Sequence, residues 1–178
     1  MRPYFLVLYN KIKIITKRIH CRNFTANGIQ MMGLNSKLSI HSDSYVAIGS
    51  HFISDGRFVV VTSENAKLTI GSNVYFNEDG MISCKGKISI GNGCKFGPNV
   101  KIFDNNHRFD AVNGVSDEHR YGEIQIGENC WIGSNVVILK GTKIGKNCVV
   151  GAGCVVNREI PEGSIVTQGR DLVIERMR

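Results

Sequence analysis

The side chains able to do chemistry in this chain are few. There are five histidines, at 20, 41, 51, 107 and 119, and only His107 and His119 share a segment that looks built for a purpose. That segment, FDNNHRFDAVNGVSDEHRYGE from Phe103 to Glu123, is long and polar, and a long loop in a compact domain is usually functional. An imidazole there can take a proton from a hydroxyl and return it to a leaving group near neutral pH. His107, near the start of the loop, is the first candidate for that role and His119 the second. Zinc chemistry would need three histidines around one open site, and the spacing of the five gives no such triad. Six cysteines include no C-x-x-C pair, so neither a metal site nor a redox motif is expected, and no resident metal is expected elsewhere.

The elements that must position these residues are written in a repeat. Read in sixes, residues 126–161 are IGENCW, IGSNVV, ILKGTK, IGKNCV, VGAGCV and VNREIP. The first position is always β-branched: Ile126, Ile132, Ile138, Ile144, Val150, Val156. The fifth position, Cys130, Val136, Thr142, Cys148, Cys154 and Ile160, is mostly small. Upstream the frame recurs at Ile90, Phe96 and Ile102 and at Ile70, Phe76 and Ile82, with a slip of two near Lys85-Gly86-Lys87. The 24 residues from Ile102 to Ile126 are four sixes, so the frame survives the polar loop. A period of six is neither that of an α-helix nor plain strand alternation. It fits an all-β fold, a left-handed parallel β-helix of hexapeptide repeats, in which each six makes one short strand and one corner and three sixes make a turn. Gly and Asn supply corners with positive φ.

This frame predicts a β-helix domain over 37–166, with a loop at 103–123 extruded from it, about six to seven turns, and a tail at 167–178. Cys94, Cys130, Cys148 and Cys154 fall in the small inward slot and read as core filler. Because aromatics are only 8% of the chain, the core is expected to be built from Ile, Val and small residues. Trp131, the only tryptophan, falls at the outward sixth position, where exposure is costly unless something covers it.

Residues 1–36 form a separate segment. Phe5, Leu8, Ile12, Ile15 and Ile19 mark an amphipathic helical stripe, with Lys11, Lys13, Lys17 and Arg18 opposite. Residues 1–42 hold seven Lys or Arg and no Asp or Glu, so the whole net charge of +7 lies there. Two expectations follow: the stripe packs on the β-helix or between subunits, or residues 1–20 rest on an anionic membrane surface. No nucleic-acid motif accompanies the basic segment, so nucleic acid is not an expected partner. Phe5-Leu6-Val7-Leu8 is too short for a secretory signal, and a cytoplasmic protein, at most at the inner face of the membrane, is expected.

The run CWIGSNVVILKGTKIGKNCVVGAGCVVNREIP closely resembles the C-terminal half of hexapeptide-repeat O-acetyltransferases, among them galactoside and maltose acetyltransferases and many surface-polysaccharide acetyltransferases. The resemblance covers residues 68–166 well and the N-terminus poorly. It implies acetyl-CoA as co-substrate, a sugar hydroxyl as acceptor, and a homotrimer with CoA sites between subunits. It also implies His107 as the base for direct attack on the thioester, with Asn77 at the acceptor. Asp104, at the start of the loop, is a candidate to bind the acceptor or to orient His107, its alternative being a solvated loop acid. Trp131, Ser134, Gly151 and Ala152 match positions lining the CoA groove, and Lys140 and Arg170 are candidates for its phosphates. Members usually end in Gly-x-Pro, whereas here Gly169 is followed by Arg170 and Asp171. The setting expected is capsule, exopolysaccharide or O-antigen synthesis. The alternatives are acetylation of a small free acceptor (a simple sugar, an antibiotic or serine), a carbonic anhydrase-like coil, and a non-catalytic scaffold.

Overall fold

The computed structural model describes residues 2–169. One helix, α1 (Arg2–His20), precedes a triangular coil of parallel strands. The first face stacks Phe24–Ala26, Tyr45–Ile48, Lys67–Ile70, Lys87–Ile90, Ile124–Ile126, Lys143–Ile144 and Glu159–Ile160. The second stacks Gln30–Met32, Phe52–Ser54, Tyr75–Phe76, Lys95–Phe96, Trp131–Ile132, Val149–Val150 and Ile165–Val166. The third stacks Lys37–Ser39, Phe58–Thr62, Gly80–Cys84, Lys101–Phe103, Val137–Leu139 and Val155–Val156. The architecture is the β-helix of hexapeptide repeats read from the sequence, with one helix and one extrusion.

Physical reasons for the coil are visible at each position of the hexad. Ile126, Ile132, Ile138, Ile144, Val150 and Val156 all point inward and are buried. Asn129, Asn135 and Asn147 turn corners with φ near +57°, a region that Asn tolerates better than most residues. Cys94, Cys130 and Cys148 are buried in the corner slot, and each thiol donates to a carbonyl one turn onward: Gly127, Gly145 and Pro161, all at 3.1 Å.

Four expectations need correction. The coil begins at Phe24, not near residue 37, so the segment 1–36 contains the helix and the first two coil strands. The core is not free of aromatics: Phe24, Phe52, Phe58, Phe76 and Phe96 fill its N-terminal half, with Phe76 and Phe96 stacked at 4.0 Å. Ile160 is not a fifth-position residue. It pairs with Ile144 on the first face, so the last hexad is shortened and Ile160 takes an inward first position.

The fourth correction concerns α1. The helix does pack on the coil, against Phe24–Ala26 and Gln30–Met32, but not through its apolar stripe. Its inner side is Leu6, Val7, Asn10, Lys13, Ile14 and Lys17, with Asn10 and Ile14 buried. Asn10 Nδ2 donates to the carbonyls of Leu6 and Met32, both at 2.9 Å, and Lys13 donates to the Ser36 carbonyl. Phe5, Leu8, Ile12, Ile15 and Ile19 face outward.

Candidate functional site

The extruded loop leaves the coil at the corner between the third and first faces. Asp104 anchors it. Its side chain is fully buried, and its two oxygens accept the backbone N–H groups of Lys85 and Gly86, each at 2.8 Å. Asn105 Nδ2 donates to the same carboxylate at 3.0 Å. The N–H of Gly122 donates to the Asp104 carbonyl at 2.8 Å and closes the base of the loop. Tyr121 lies over Gly86, where a Cβ would come within 2.7 Å of its ring. Asp104 therefore braces the corner where the hexad frame slips by two. It is not an acceptor ligand, because its oxygens are already engaged and no part of it reaches solvent. Burial, reinforced by the Asp104 charge, pushes the nearby Cys84 thiol well above its ordinary pKa.

Above this base the loop is a β-hairpin. Asn105–Asp110 runs antiparallel to Gly114–Tyr121, pairing Asn105 with Tyr121, His107 with His119, and Asp110 with Gly114. The register shifts between His107 and Phe109. At the tip, the N–H groups of Val112 and Asn113 donate to Asp110 Oδ1 at 2.8 and 2.7 Å, and these bonds hold the Asp110 carboxyl below its ordinary pKa. Gly114 supplies the positive φ of +71° that the turn requires. The two strands pack on each other and on little else, so the hairpin projects from the coil.

His107 is exposed on this hairpin, and its ring is oriented from within it. Its Nδ1 lies 3.1 Å from the carbonyl oxygen of Ser116 on the opposite strand. A carbonyl can only accept, so Nδ1 carries the hydrogen and the lone pair of the neutral ring resides on Nε2. The rings of His107 and His119 lie 4.2 Å apart, tilted by 43°. Among the described residues, nothing comparable fixes the tautomer of His119. An exposed imidazole with one nitrogen tied to a carbonyl and the other open is prepared to accept a proton.

The other sequence candidates gather elsewhere. Asn77, Gly97, Gly133 and Gly151 each follow a second-face strand and stack in one column, linked by N–H to carbonyl bonds of 2.7–2.9 Å. The stacking is tight: a Cβ on Gly97 would lie 2.7 Å from the N of Ser134, and one on Gly133 would lie 2.7 Å from the N of Ala152. Gly151 has more room, its nearest neighbour being the Val166 carbonyl at 3.2 Å. Asn77 is three rungs from Gly151, roughly 14 Å at the usual spacing of strands. Its Oδ1 accepts the Glu78 N–H at 2.7 Å. On the adjoining second face Trp131 pairs with Lys95 on one side and Val149 on the other and is 58% exposed. Val149 pairs in turn with Ile165, which is 76% exposed. Trp131, Val149 and Ile165 form an apolar strip beside the small-residue column.

Lys140, Lys143 and Lys146, which recur on successive hexads, do not converge on this strip. Lys140 stands at the hairpin corner, where a Cβ on Gly122 would lie 3.7 Å from its own Cβ. Lys143 is on the first face. Lys146 lies at the next corner and pairs with Glu162 at 3.3 Å. Arg170 lies outside the described residues. No group of three or more His, Cys, Asp or Glu capable of holding a metal ion occurs among the described residues.

The candidates thus form two sets. His107, His119 and Lys140 belong to the corner that precedes the first face, and Asn77, Trp131, Ser134, Gly151 and Ala152 to the second face and its far edge. Among the described residues, no hydrogen bond or ring contact joins the sets within one chain. The sequence reading names both histidines but neither the contact between their rings nor the bond to the Ser116 carbonyl. Asn113-Gly114 is the signal that could have found the hairpin, where the sequence reading expects only a loop, although nothing in the sequence marks its register.

Comparison with known proteins agrees with the repeat and the fold. The bacterial transferase hexapeptide family (six repeats) matches residues 123–158. The putative acetyltransferase YJL218W of Saccharomyces cerevisiae is 32% identical over 143 residues, covering 80% of this chain and 72% of that protein. The polysialic acid O-acetyltransferase of Neisseria meningitidis is 31% identical over 139 residues, covering 74% and 54%. A crystal structure of a mutant of AntD, an N-acyltransferase from Bacillus cereus, in complex with dTDP and coenzyme A, shares the fold. Its TM-score is 0.66 at 16% identity, covering 84% and 81% of the two chains. The chain spans only about half the length of several curated relatives. Repeat, fold and relatives together show that the chain belongs to the hexapeptide-repeat acetyltransferase family.

Proposed function

We propose that this protein transfers an acetyl group from acetyl-CoA to a hydroxyl of a sugar, in the cytoplasm, where surface polysaccharides are assembled. The observation that carries the reading is the His107–Ser116 hydrogen bond, which leaves Nε2 as an open base on a projecting hairpin. Nε2 takes the hydroxyl proton as the oxygen attacks the thioester carbonyl, and the resulting imidazolium gives that proton to the departing CoA thiolate. No covalent enzyme intermediate is required. The polysaccharide setting is supported by the relative named for polysialic acid O-acetylation.

Trp131, with Val149 and Ile165, offers an apolar wall for the pantetheine arm, and Gly151, half-buried with room around it at the end of the column, leaves backbone within reach beside it. Because that wall and the hairpin occupy different corners, the base of one subunit works against the CoA wall of another in a homotrimer. Asn77 supplies an amide to the acceptor.

Incubation of the protein with acetyl-CoA and a panel of glycans and small sugars, with products followed by mass spectrometry, tests the proposal. Acetylated glycan is expected with the native chain and not with His107→Ala. Undiminished transfer by His107→Ala would refute the mechanism, and acetylation confined to small free sugars would refute the polysaccharide setting.

A further inference from the structure

The outward face of α1 has no occupant in the chain. Tyr4, Phe5, Leu8, Ile12, Ile15 and Ile19 are between 49% and 84% exposed, an apolar stripe along nearly the whole helix. A helix that packs on its own protein normally turns such a stripe inward. Here the inward side is secured by buried Ile14 and by polar contacts to the coil: Asn10 to the Met32 carbonyl, Lys13 to that of Ser36, and Arg18 to that of Ala26 at 2.8 Å. The stripe is therefore held outward by the docking of the helix. Ile29 and Leu34, about half exposed on the coil beside the helix, widen it.

Charge identifies what would cover it. Lys11 and Arg18, both exposed, border one side of the stripe. The first 42 residues contain no acid, while the rest of the chain carries fifteen basic and fifteen acidic residues. Burial, with mutual crowding of Lys13 and Lys17 added, holds the Lys13 ammonium below its ordinary pKa. A second copy presenting the same face would set cation against cation. An anionic bilayer satisfies both features at once, taking the apolar ridge between its acyl chains and the flanking cations among its phosphates. Among the described residues no helix is long and apolar enough to cross a membrane, so a helix using this ridge lies in the interface.

We infer that α1 docks the protein on an anionic membrane surface through Phe5, Leu8, Ile12, Ile15 and Ile19. The coil then stands on the bilayer by its N-terminal end, with the His107 hairpin several turns away from the lipid. The inference is independent of the acetyl-transfer reading, since it rests on the helix alone.

Vesicle flotation of the full chain tests it, with phosphatidylcholine alone and with equimolar phosphatidylcholine and phosphatidylglycerol. The native protein is expected to float with the mixed vesicles, far less with the neutral ones, and less as salt rises. The variant Leu8→Gln/Ile12→Gln/Ile15→Gln alters only exposed positions and keeps good helix formers, and its partitioning into mixed vesicles is expected to fall at least about tenfold. Failure of the native chain to float with mixed vesicles, or equal flotation of the variant, would overturn the inference. So would a variant that floats unchanged but loses mass in sedimentation, which would make the stripe a protein contact.

Discussion

Asp104 offers a sharp test of the site, because the sequence pattern and the structure assign it different work. If it is a brace, its replacement should damage the fold at the hairpin base and leave acceptor affinity alone. Asp104→Asn keeps the shape and one acceptor oxygen, but turns an NH2 toward the N–H of Lys85 or Gly86. One charge-assisted bond of 2.8 Å is lost, and a buried N–H loses its partner. Bonds to a charged group contribute about 1.5–3 kcal/mol each, and a buried unsatisfied donor costs about 1–3 kcal/mol, two views of largely the same loss. A destabilisation of about 3 kcal/mol follows, or roughly 6–12 °C in melting temperature for a chain of this size.

Thermal unfolding followed by circular dichroism reads the first quantity. Steady-state transfer reads the second: kcat should fall, since the hairpin that carries His107 loses its footing, while KM for the acceptor changes little. Asp104→Asn with an unchanged melting temperature and a raised acceptor KM would refute this reasoning and return Asp104 to the acceptor site.

His107→Ala should lower kcat by roughly a hundredfold or more, the usual scale for a general base, whereas His119→Ala should cost under about tenfold, as measured by acetyl transfer. Calorimetric titration should show Trp131→Ala weakening acetyl-CoA binding by about tenfold or more, as expected when a large aromatic wall is cut away. If each site takes His107 from one subunit and Trp131 from another, co-expressed His107→Ala and Trp131→Ala chains should recover about a quarter of native activity in a closed ring, half times half, whereas sites within one chain would recover none. Hydrogen bonds from Lys87 and Gln125 hold the Glu123 carboxyl below its ordinary value of 4.5. Its contribution is thus present above that value and lost as pH falls through the lower folded pKa, so proteolysis at the hairpin should rise in that acid window, and Glu123→Gln should flatten the dependence.

The sequence pattern made the coil legible where hexads run without interruption, because one β-branched position and one small position recur every six residues from Ile126 to Val156. It failed where turns are longer. On the first face the stacked inward residues Ile48, Ile70 and Ile90 lie 22 and 20 residues apart, not three sixes, and the extra residues sit in corners that leave no periodic mark. The first turns and their Phe core were lost for that reason. The helix was legible as a helix, but not in its orientation: amphipathicity ranks faces by hydrophobicity, while the docking of α1 is decided by where Asn10, Lys13 and Arg18 find carbonyls. Asp104 could not be recognised as a brace, because its partners are backbone groups at Lys85 and Gly86, which no side-chain pattern records.

Those irregular corners also explain how the fold can carry a site. Between Ile102 and Ile126 the chain spends four sixes where one would suffice, yet the count has no structural meaning, since the surplus is an antiparallel hairpin and not coil. The coil tolerates it because both ends meet at one point: the Asp104 carbonyl takes the Gly122 N–H, and the Asp104 carboxylate holds the rung beneath. With the ends pinned, Ile88 still pairs with Ile124 and Ile90 with Ile126, as if nothing had been inserted. The length and sequence of the hairpin are then free of the packing that constrains every hexad. Changes between Asn106 and Arg120 are accordingly expected to alter the reaction without altering the stability of the coil, whereas changes at Asp104, Gly86 or Gly122 are expected to lower stability first and kcat only through the lost footing of His107.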